Sequence, residues 1–204
     1  MKGLFISFEG LEGSGKTTQS KRLHKWLLSE GYKCVFTQEP GGTEIAKKIR
    51  EILLDNKNKE LTPAAELFLY LADRAQNVKQ VIKPALKTNK VVITDRFTDS
   101  TIAYQGGGRH FPSKVLEDLN CLVISGIKPD ITIFLDIVPK KGLARIKSKD
   151  RMESEDLEFY ERVRKVYLKL AKEEPERIKI IKGDLTIGEI EQQVRKLVKG
   201  KFKK

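Results

Sequence analysis

Gly10-Leu11-Glu12-Gly13-Ser14-Gly15-Lys16-Thr17 is the stretch that decides the fold. A glycine, four further residues and then Gly-Lys-Thr is the spacing of a phosphate-binding loop. Its glycines permit positive φ and the close approach of a ligand. Successive N–H groups then converge into an anion nest, and a helix leaving the loop adds the positive end of its dipole at the same point. Lys16 reaches the outer phosphates, and the Thr17 hydroxyl ligates Mg²⁺. A chance glycine-rich turn would lack the right neighbours. Here the apolar run Leu4-Phe5-Ile6-Ser7-Phe8 reads as a strand before the loop, and a helix-like segment runs on from Thr18. The loop calls for a nucleoside triphosphate and magnesium, and leaves open what becomes of the terminal phosphate.

Outward from the loop, strand and helix alternate. Leu23, Trp26 and Leu27 recur at helical spacing up to a stop at Gly31, with His24 off that face and exposed. A strand over 33–37 ends in the turn Glu39-Pro40-Gly41-Gly42. Thr43 caps a helix whose buried stripe is Ile45, Ile49, Ile52 and Leu53. Thr62-Pro63 opens another, on which Tyr70 and Arg74 share a face, and Pro84 kinks the chain or starts a short helix. Val91-Val92-Ile93-Thr94 is a buried strand that delivers Asp95-Arg96 at its carboxyl end. A polar and aromatic segment follows, broken by Gly106-Gly107-Gly108, and Ser113 caps the next helix. Ile131 to Leu135 is a fourth strand, ending at Asp136, and Pro139 starts a short helix. A long helix begins at Leu157 and halts at Pro175. Ile178 to Ile181 is the fifth strand, and Thr186-Ile187-Gly188-Glu189 is a capping box for the last helix. Near-continuous apolar strands alternating with helices predict an α/β fold of the P-loop NTPase kind: a five-stranded parallel sheet with helices on both faces.

Composition sets the outer limits. The 204 residues form one expected domain, 1–204, without linker or repeat. No 18-residue apolar run is present and the chain starts on a strand, so neither a membrane span nor a signal peptide is expected; a cytoplasmic location follows. Cys34 and Cys121 read as buried free thiols. A net charge of +12 suits nucleic acid or small polyanions such as nucleotides. The basic tail over 199–204 reads as a solvated, frayed end.

Other motifs narrow the reaction. A GTPase carries Asn-Lys-x-Asp, but Asn56-Lys57 is followed by Asn58-Lys59 and Asn89-Lys90 by Val91-Val92. A nucleic-acid-driven ATPase places a second acid after the strand-end Asp, whereas this chain has Asp95-Arg96. An arginine beside the metal-side acid points to a second anion, an acceptor phosphate.

Four blocks then resemble the thymidylate kinase family in order and spacing: 8–18 around the phosphate loop, the turn Glu39-Pro40-Gly41-Gly42-Thr43, the helix Leu71-Ala72-Asp73-Arg74-Ala75-Gln76, and the segment from Asp95-Arg96-Phe97 to Tyr104-Gln105-Gly106. The resemblance implies transfer of the γ-phosphoryl of ATP to dTMP, with Mg²⁺, in a homodimer. It places ATP on Gly10, Leu11, Glu12, Gly13, Ser14, Gly15, Lys16 and Thr17, and the metal at Thr17 and Asp95. Glu12 falls near the acceptor's sugar or the metal. Arg96, with Arg50, grips the acceptor phosphate. Tyr70 stands where the family usually has Phe stacked on the base. Arg74 donates to the base edge, Ser100, Thr101 and Gln105 line the base side, Tyr104 lies under the deoxyribose, and Glu39 is the nearby turn acid. The family's loop arginine, found in some members, is absent here. Its catalytic cations are then expected in a lid at about 145–155, among Arg145, Lys147, Lys149 and Arg151, with Arg145 and Arg151 foremost. Kinase activity on another nucleoside monophosphate and a nucleic-acid-dependent ATPase are the alternatives; no stable nucleic-acid binding and no membrane partner are expected.

Overall fold

A computed structural model describes residues 3–202; Met1, Lys2 and the final two residues of the basic tail, Lys203 and Lys204, lie outside it. Strands β1 (Leu4–Gly10), β2 (Cys34–Gln38), β3 (Val91–Asp95), β4 (Ile131–Asp136) and β5 (Ile178–Lys182) form one sheet in the order β2-β3-β1-β4-β5. Every neighbouring pair is parallel. Side chains alternate across each strand. Leu4, Ile6 and Phe8 therefore meet one helical layer, where Leu23, Trp26 and Leu27 of α1 (Lys16–Ser29) join Ile190 and Val194 of α9 (Ile187–Phe202). Phe5 meets the other layer, against Phe97 and the π-helical turn Val78–Ile82. On that same side Phe134 and Ile178 pack on Tyr160, Val163 and Tyr167 of α8 (Leu157–Glu173). The central strands β1, β3 and β4 are almost wholly buried, which is why they read as mostly apolar runs, while the edge strand β5 leaves Ile180 exposed.

Three of the four expected caps form. Thr43 accepts from Ala46 N–H at the head of α2 (Glu44–Leu54), and Thr62 from Ala65 N–H at the head of α3 (Pro63–Asn77). Thr186 and Glu189 exchange the two bonds of the capping box. Pro84 sits in the first turn of α4 (Lys83–Lys87). No helix of the described residues is long and apolar enough to cross a membrane.

Five local readings change. The buried residues of α2 are Ala46 and Leu53, with Ile49 half-buried, and Ile45 and Ile52 face outward. The helix α6 (Ser113–Ile124) has Ser113 inside it, preceded by Pro112 and with no side-chain cap. His24 is half-buried beside Phe36. Cys121 is exposed and Cys34 only partly covered, both free. The tail does not fray at 199: α9 continues through Phe202, whose ring stacks on Tyr32 at 4.4 Å while Lys199 lies over Trp26.

The glycine run is the largest change. The short helix α5 (Thr98–Thr101) continues through a π-helical stretch, Ile102–Gly108, without a break. The glycines are there for packing: a Cβ on Gly108 would stand 2.3 Å from the Phe159 ring, and one on Gly107 3.1 Å from the Arg162 carbonyl. They let α8 lie directly on the segment that carries Tyr104 and Gln105. A matching close approach joins the phosphate loop to α7 (Pro139–Leu143), since a Cβ on Gly13 would lie 2.1 Å from the Gly142 carbonyl oxygen.

Candidate active site

The carboxyl ends of β1, β2 and β3 open on one cleft, the position where open parallel sheets bind ligands. Its floor is the phosphate loop. Gly15 closes the loop in the left-handed region at φ 91°, so α1 begins at Lys16 with its free N–H groups facing the cleft. Lys16 is buried, and its ammonium donates to the Leu11 carbonyl at 3.3 Å. Burial holds its pKa below the ordinary value, and the charge of Arg96 adds to that. The Thr17 hydroxyl donates to the Asp95 carboxylate across the loop. The other Asp95 oxygen, Oδ1, is buried without a partner among the described residues.

Arg96 follows directly. Its backbone takes φ 75°, unusual outside glycine. Three bonds hold that turn: Arg96 N–H to the Phe8 carbonyl at 2.9 Å, Phe97 N–H to Glu9 Oε1 at 2.7 Å, and the Thr94 hydroxyl to the Arg96 carbonyl at 2.8 Å. The turn swings the guanidinium over the cleft, where it donates to Glu12 at 2.6 Å, to the Tyr104 hydroxyl at 3.1 Å and to the Ser100 hydroxyl at 3.1 Å. Burial pushes the Glu12 carboxyl up, but Arg96 and Lys16 outweigh it and hold it below its ordinary value. Asp95 and Arg96 thus present an acid and a cation from adjacent residues to two neighbouring parts of one cleft.

The far wall comes from β2 and α3. Arg74 is buried and donates to Glu39 (2.7 Å), Thr101 (2.6 Å), Asn120 (2.7 Å) and the Phe97 carbonyl (2.9 Å). Four of its five N–H groups are thereby engaged, and the remaining one, on Nη2, has no partner among the described residues. Glu39 also accepts from Asn77 at 3.0 Å. Burial pushes its carboxyl up, with Arg74 offsetting only part of the effect. Arg50 donates to the Pro40 carbonyl at 2.8 Å and lines the cleft together with Tyr70, Ser100, Thr101, Tyr104 and Gln105.

The expected lid divides in two. Arg145 is exposed and donates to the carbonyls of Gly13 and Gly183, each at 3.0 Å, at the outer edge of the phosphate loop. Lys147 and Lys149 are exposed as well. Arg151 is instead buried against α2 and α3, donating to the Leu53 carbonyl at 2.7 Å and to Glu66 at 2.7 Å, and it does not line the cleft, although its neighbours Asp150, Met152 and Glu153 do.

Three carboxylates escaped the sequence reading. Glu9 is fully buried and accepts from Phe97 N–H, Ser100 (2.6 Å) and Tyr167 (2.9 Å). Burial and the nearby Asp99 push its carboxyl up to about 7. Asp73 accepts from Gly41 N–H at 2.7 Å and so supports the turn that carries Glu39. Glu66 holds Arg109 and Arg151. Glu9 had a visible signal, a charge at the end of a mostly apolar strand, and so had Glu66, a lone charge among Ala64, Ala65, Leu67, Phe68 and Leu69; Asp73, beside Arg74 on a helix, had none.

A phosphate loop facing a strand-end arginine across one cleft defines a P-loop phosphotransferase that handles two anions. The comparisons agree. A family model for thymidylate kinase matches residues 8–194. A thymidylate kinase of Maridesulfovibrio salexigens is 46% identical over 210 aligned positions, covering 98% of this chain and 97% of that one. One of Geotalea uraniireducens is 47% identical over 201 positions, covering 94% of each. The crystal structure of thymidylate kinase from Ehrlichia chaffeensis matches with a TM-score of 0.82 at 38% identity, over 98% of this chain and 99% of that one. The chain belongs to the thymidylate kinase family. Its activity is that of an ATP:dTMP phosphotransferase, a nucleoside monophosphate kinase.

Proposed function

We propose the following division of labour for the transfer of the γ-phosphoryl of ATP to dTMP. The loop N–H groups from Gly10 to Thr17 and the Lys16 ammonium hold the donor phosphates. Arg96 and Arg50 hold the acceptor phosphate. The observation that carries this reading is the adjacent pair, Asp95 turned to Thr17 and Arg96 turned to Glu12. Glu12 and Tyr104 keep the Arg96 guanidinium aimed and charged until the acceptor phosphate competes for it. Tyr70 stacks on the base, and the unengaged Nη2 hydrogen of Arg74 donates to a base carbonyl. Thr101 and Gln105 complete the base side, with Ser100 holding Arg96. Tyr104 packs under the deoxyribose. Glu39 fixes Arg74 rather than touching the substrate.

Phosphoryl transfer spreads negative charge over the equatorial oxygens, so catalysis is positioning plus cationic stabilisation. Arg145 stands nearest the loop among the lid cations and is assigned that role, with Arg151 anchoring the lid. Thr17 and Asp95 fit Mg²⁺, which prefers hard oxygen donors, and the partnerless Asp95 Oδ1 is a ready ligand atom. Bound there, the ion neutralises charge on the donor phosphates.

The same reading takes the chain as one domain, cytoplasmic, and paired with a second copy. Ile45 and Ile52 of α2, Phe68 of α3 and Leu122 of α6 are exposed on three helices packed side by side, an apolar surface that suits an isologous dimer.

ADP formation with Mg-ATP and a panel of dTMP, dUMP, dCMP, dGMP, UMP and thymidine tests the function. Turnover concentrated on dTMP is expected. Preference for another monophosphate would keep the phosphotransferase and overturn the base pocket. ATPase activity stimulated by DNA, without acceptor turnover, would overturn both.

A further inference from the structure

We propose that Glu66 sets the choice of acceptor base, by fixing the Gln105 amide so that its carbonyl oxygen, and not its NH₂, meets the base. The proposal rests on the reading above that the acceptor base lies against Gln105.

Glu66 stands on α3 one turn before Tyr70 and is fully buried. Its Oε1 accepts from Gln105 Nε2 and from Arg109 Nε, each at 3.1 Å. Its Oε2 accepts from Arg109 Nη2 at 3.0 Å and from Arg151 Nη2 at 2.7 Å. A carboxylate gripped by two guanidiniums is ionised, and an ionised carboxylate has no hydrogen to give. Burial alone would push the Glu66 carboxyl up, but the bonds and charges of the two arginines hold it below its ordinary value.

The two ends of a glutamine amide are nearly the same size, so shape does not choose between its two orientations. Charge does. Only the NH₂ end can face an acceptor-only group, which commits Gln105 to donate backward to Glu66. No described residue donates to its Oε1, and Gln105, itself buried, lines the cleft. The base therefore meets an acceptor. Thymine and uracil carry a hydrogen on N3 that this oxygen can take. Cytosine carries a lone pair at N3, so two acceptors would face each other at the buried Gln105, and a buried polar group left unpaired is costly. A site built for one hydrogen-bond pattern rejects its inverse far more strongly than a merely apolar pocket does. Selection against cytosine thus originates in a carboxylate behind the pocket wall that never touches the substrate, so Glu66 is a positioning residue.

The experiment compares kcat/KM for dTMP and for dCMP in the wild-type chain, E66Q, Q105L and the double variant. The amide of E66Q can donate as well as accept, so Gln105 is free to turn over. The dTMP-to-dCMP ratio is expected to fall tenfold or more, through KM for the acceptors and with KM for ATP unchanged. Adding E66Q to Q105L should leave the ratio where Q105L puts it. An unchanged ratio in folded E66Q, or an equal shift in the Q105L background, would overturn the proposal. Should E66Q fail to fold, E66D keeps the charge the two arginines need while drawing the carboxylate back from Gln105, and the same ratio decides. N3-methyl-dTMP on the wild-type chain separates the two layers of the argument. Its use on a par with dTMP overturns the contact to Gln105, and a wild-type preference for a base without N3–H overturns the acceptor reading itself.

Discussion

Arg96 carries charge into this cleft, whereas Asp73, behind the turn that bears Glu39, tends to lose its own. Arg96 is held in a backbone conformation that costs about 1–3 kcal/mol, and Phe8, Glu9, Thr94 and Phe97 supply the bonds that maintain it. Such a cost is tolerated where the side chain must point one way only. Arg96→Ala should leave ATP binding, read by nucleotide titration, near wild type, while kcat/KM for dTMP falls by about a hundredfold or more, the scale for removing a preorganised charge. Retained transfer would show that another cation holds the acceptor phosphate. Asp73 makes a different prediction. Burial and the Glu39 charge raise its carboxyl from an ordinary 3.8 to about 7. The folded chain then keeps a proton that the unfolded chain releases above about pH 4, so its contribution to stability is full below that point and is lost as pH rises through 7. Glu9, shifted the same way, acts in the same direction. Urea midpoints should be higher at pH 5 than at pH 8, and Asp73→Asn should shrink the difference. Equal slopes in the two proteins would mean that Asp73 is ionised in the native state.

Among the elements, the strands were legible and two features were not. An apolar run between turn residues is a direct image of burial on both faces, and all five strands lie where those runs lie. The glycines at 106–108 were misread because a glycine that breaks a helix and one that admits a neighbouring ring look alike along the chain; only Phe159, some fifty residues on, distinguishes them. The cleft was legible where spacing is local, as in the phosphate loop and the Tyr70–Arg74 face. It was illegible where pairing crosses the fold, as for Glu66 with Arg151, since no sequence interval marks such contacts. The end of α9 belongs with the misread features and yields a test. Removing residues 199–204 takes away Phe202 from Tyr32 and Lys199 from Trp26. Turnover of dTMP should persist while the thermal midpoint drops by several degrees, at about 2–4 °C per kcal/mol for a chain of this size. Loss of turnover with an unchanged midpoint would give the tail a functional part.

At the scale of the whole molecule, the excess charge and several large apolar side chains both lie on the surface. Apart from Lys16, which bonds the Leu11 carbonyl of the phosphate loop, the cations deep in the fold are spoken for: Arg74, Arg96, Arg109, Arg151 and Arg177 pair with carboxylates. The excess that makes up +12 is therefore on the surface, where salt screens it, and it does not build a second site. The outward faces of α2, α3 and α6 are where a second copy is expected to dock. Phe68→Asp, at an exposed position, should leave the far-ultraviolet circular dichroism unchanged and convert a dimer to a monomer in sedimentation. A wild-type chain that sediments as a monomer would remove the dimer from the reading.

The contact between Gly13 and Gly142 has a mechanical consequence. Each glycine faces the backbone of the other's segment: a Cβ on Gly13 would run into the Gly142 carbonyl, and one on Gly142 would stand 2.5 Å from the Glu12 carbonyl oxygen. The root of the expected lid is thereby fastened to the phosphate loop. At the other end Arg151 is moored to Leu53, Leu54 and Glu66. What lies between is a short arch on two fixed piers, and an arch of that kind can flex at its crown but cannot swing like a door. With both ends held, the phosphate loop and this arch are expected to move together as one piece.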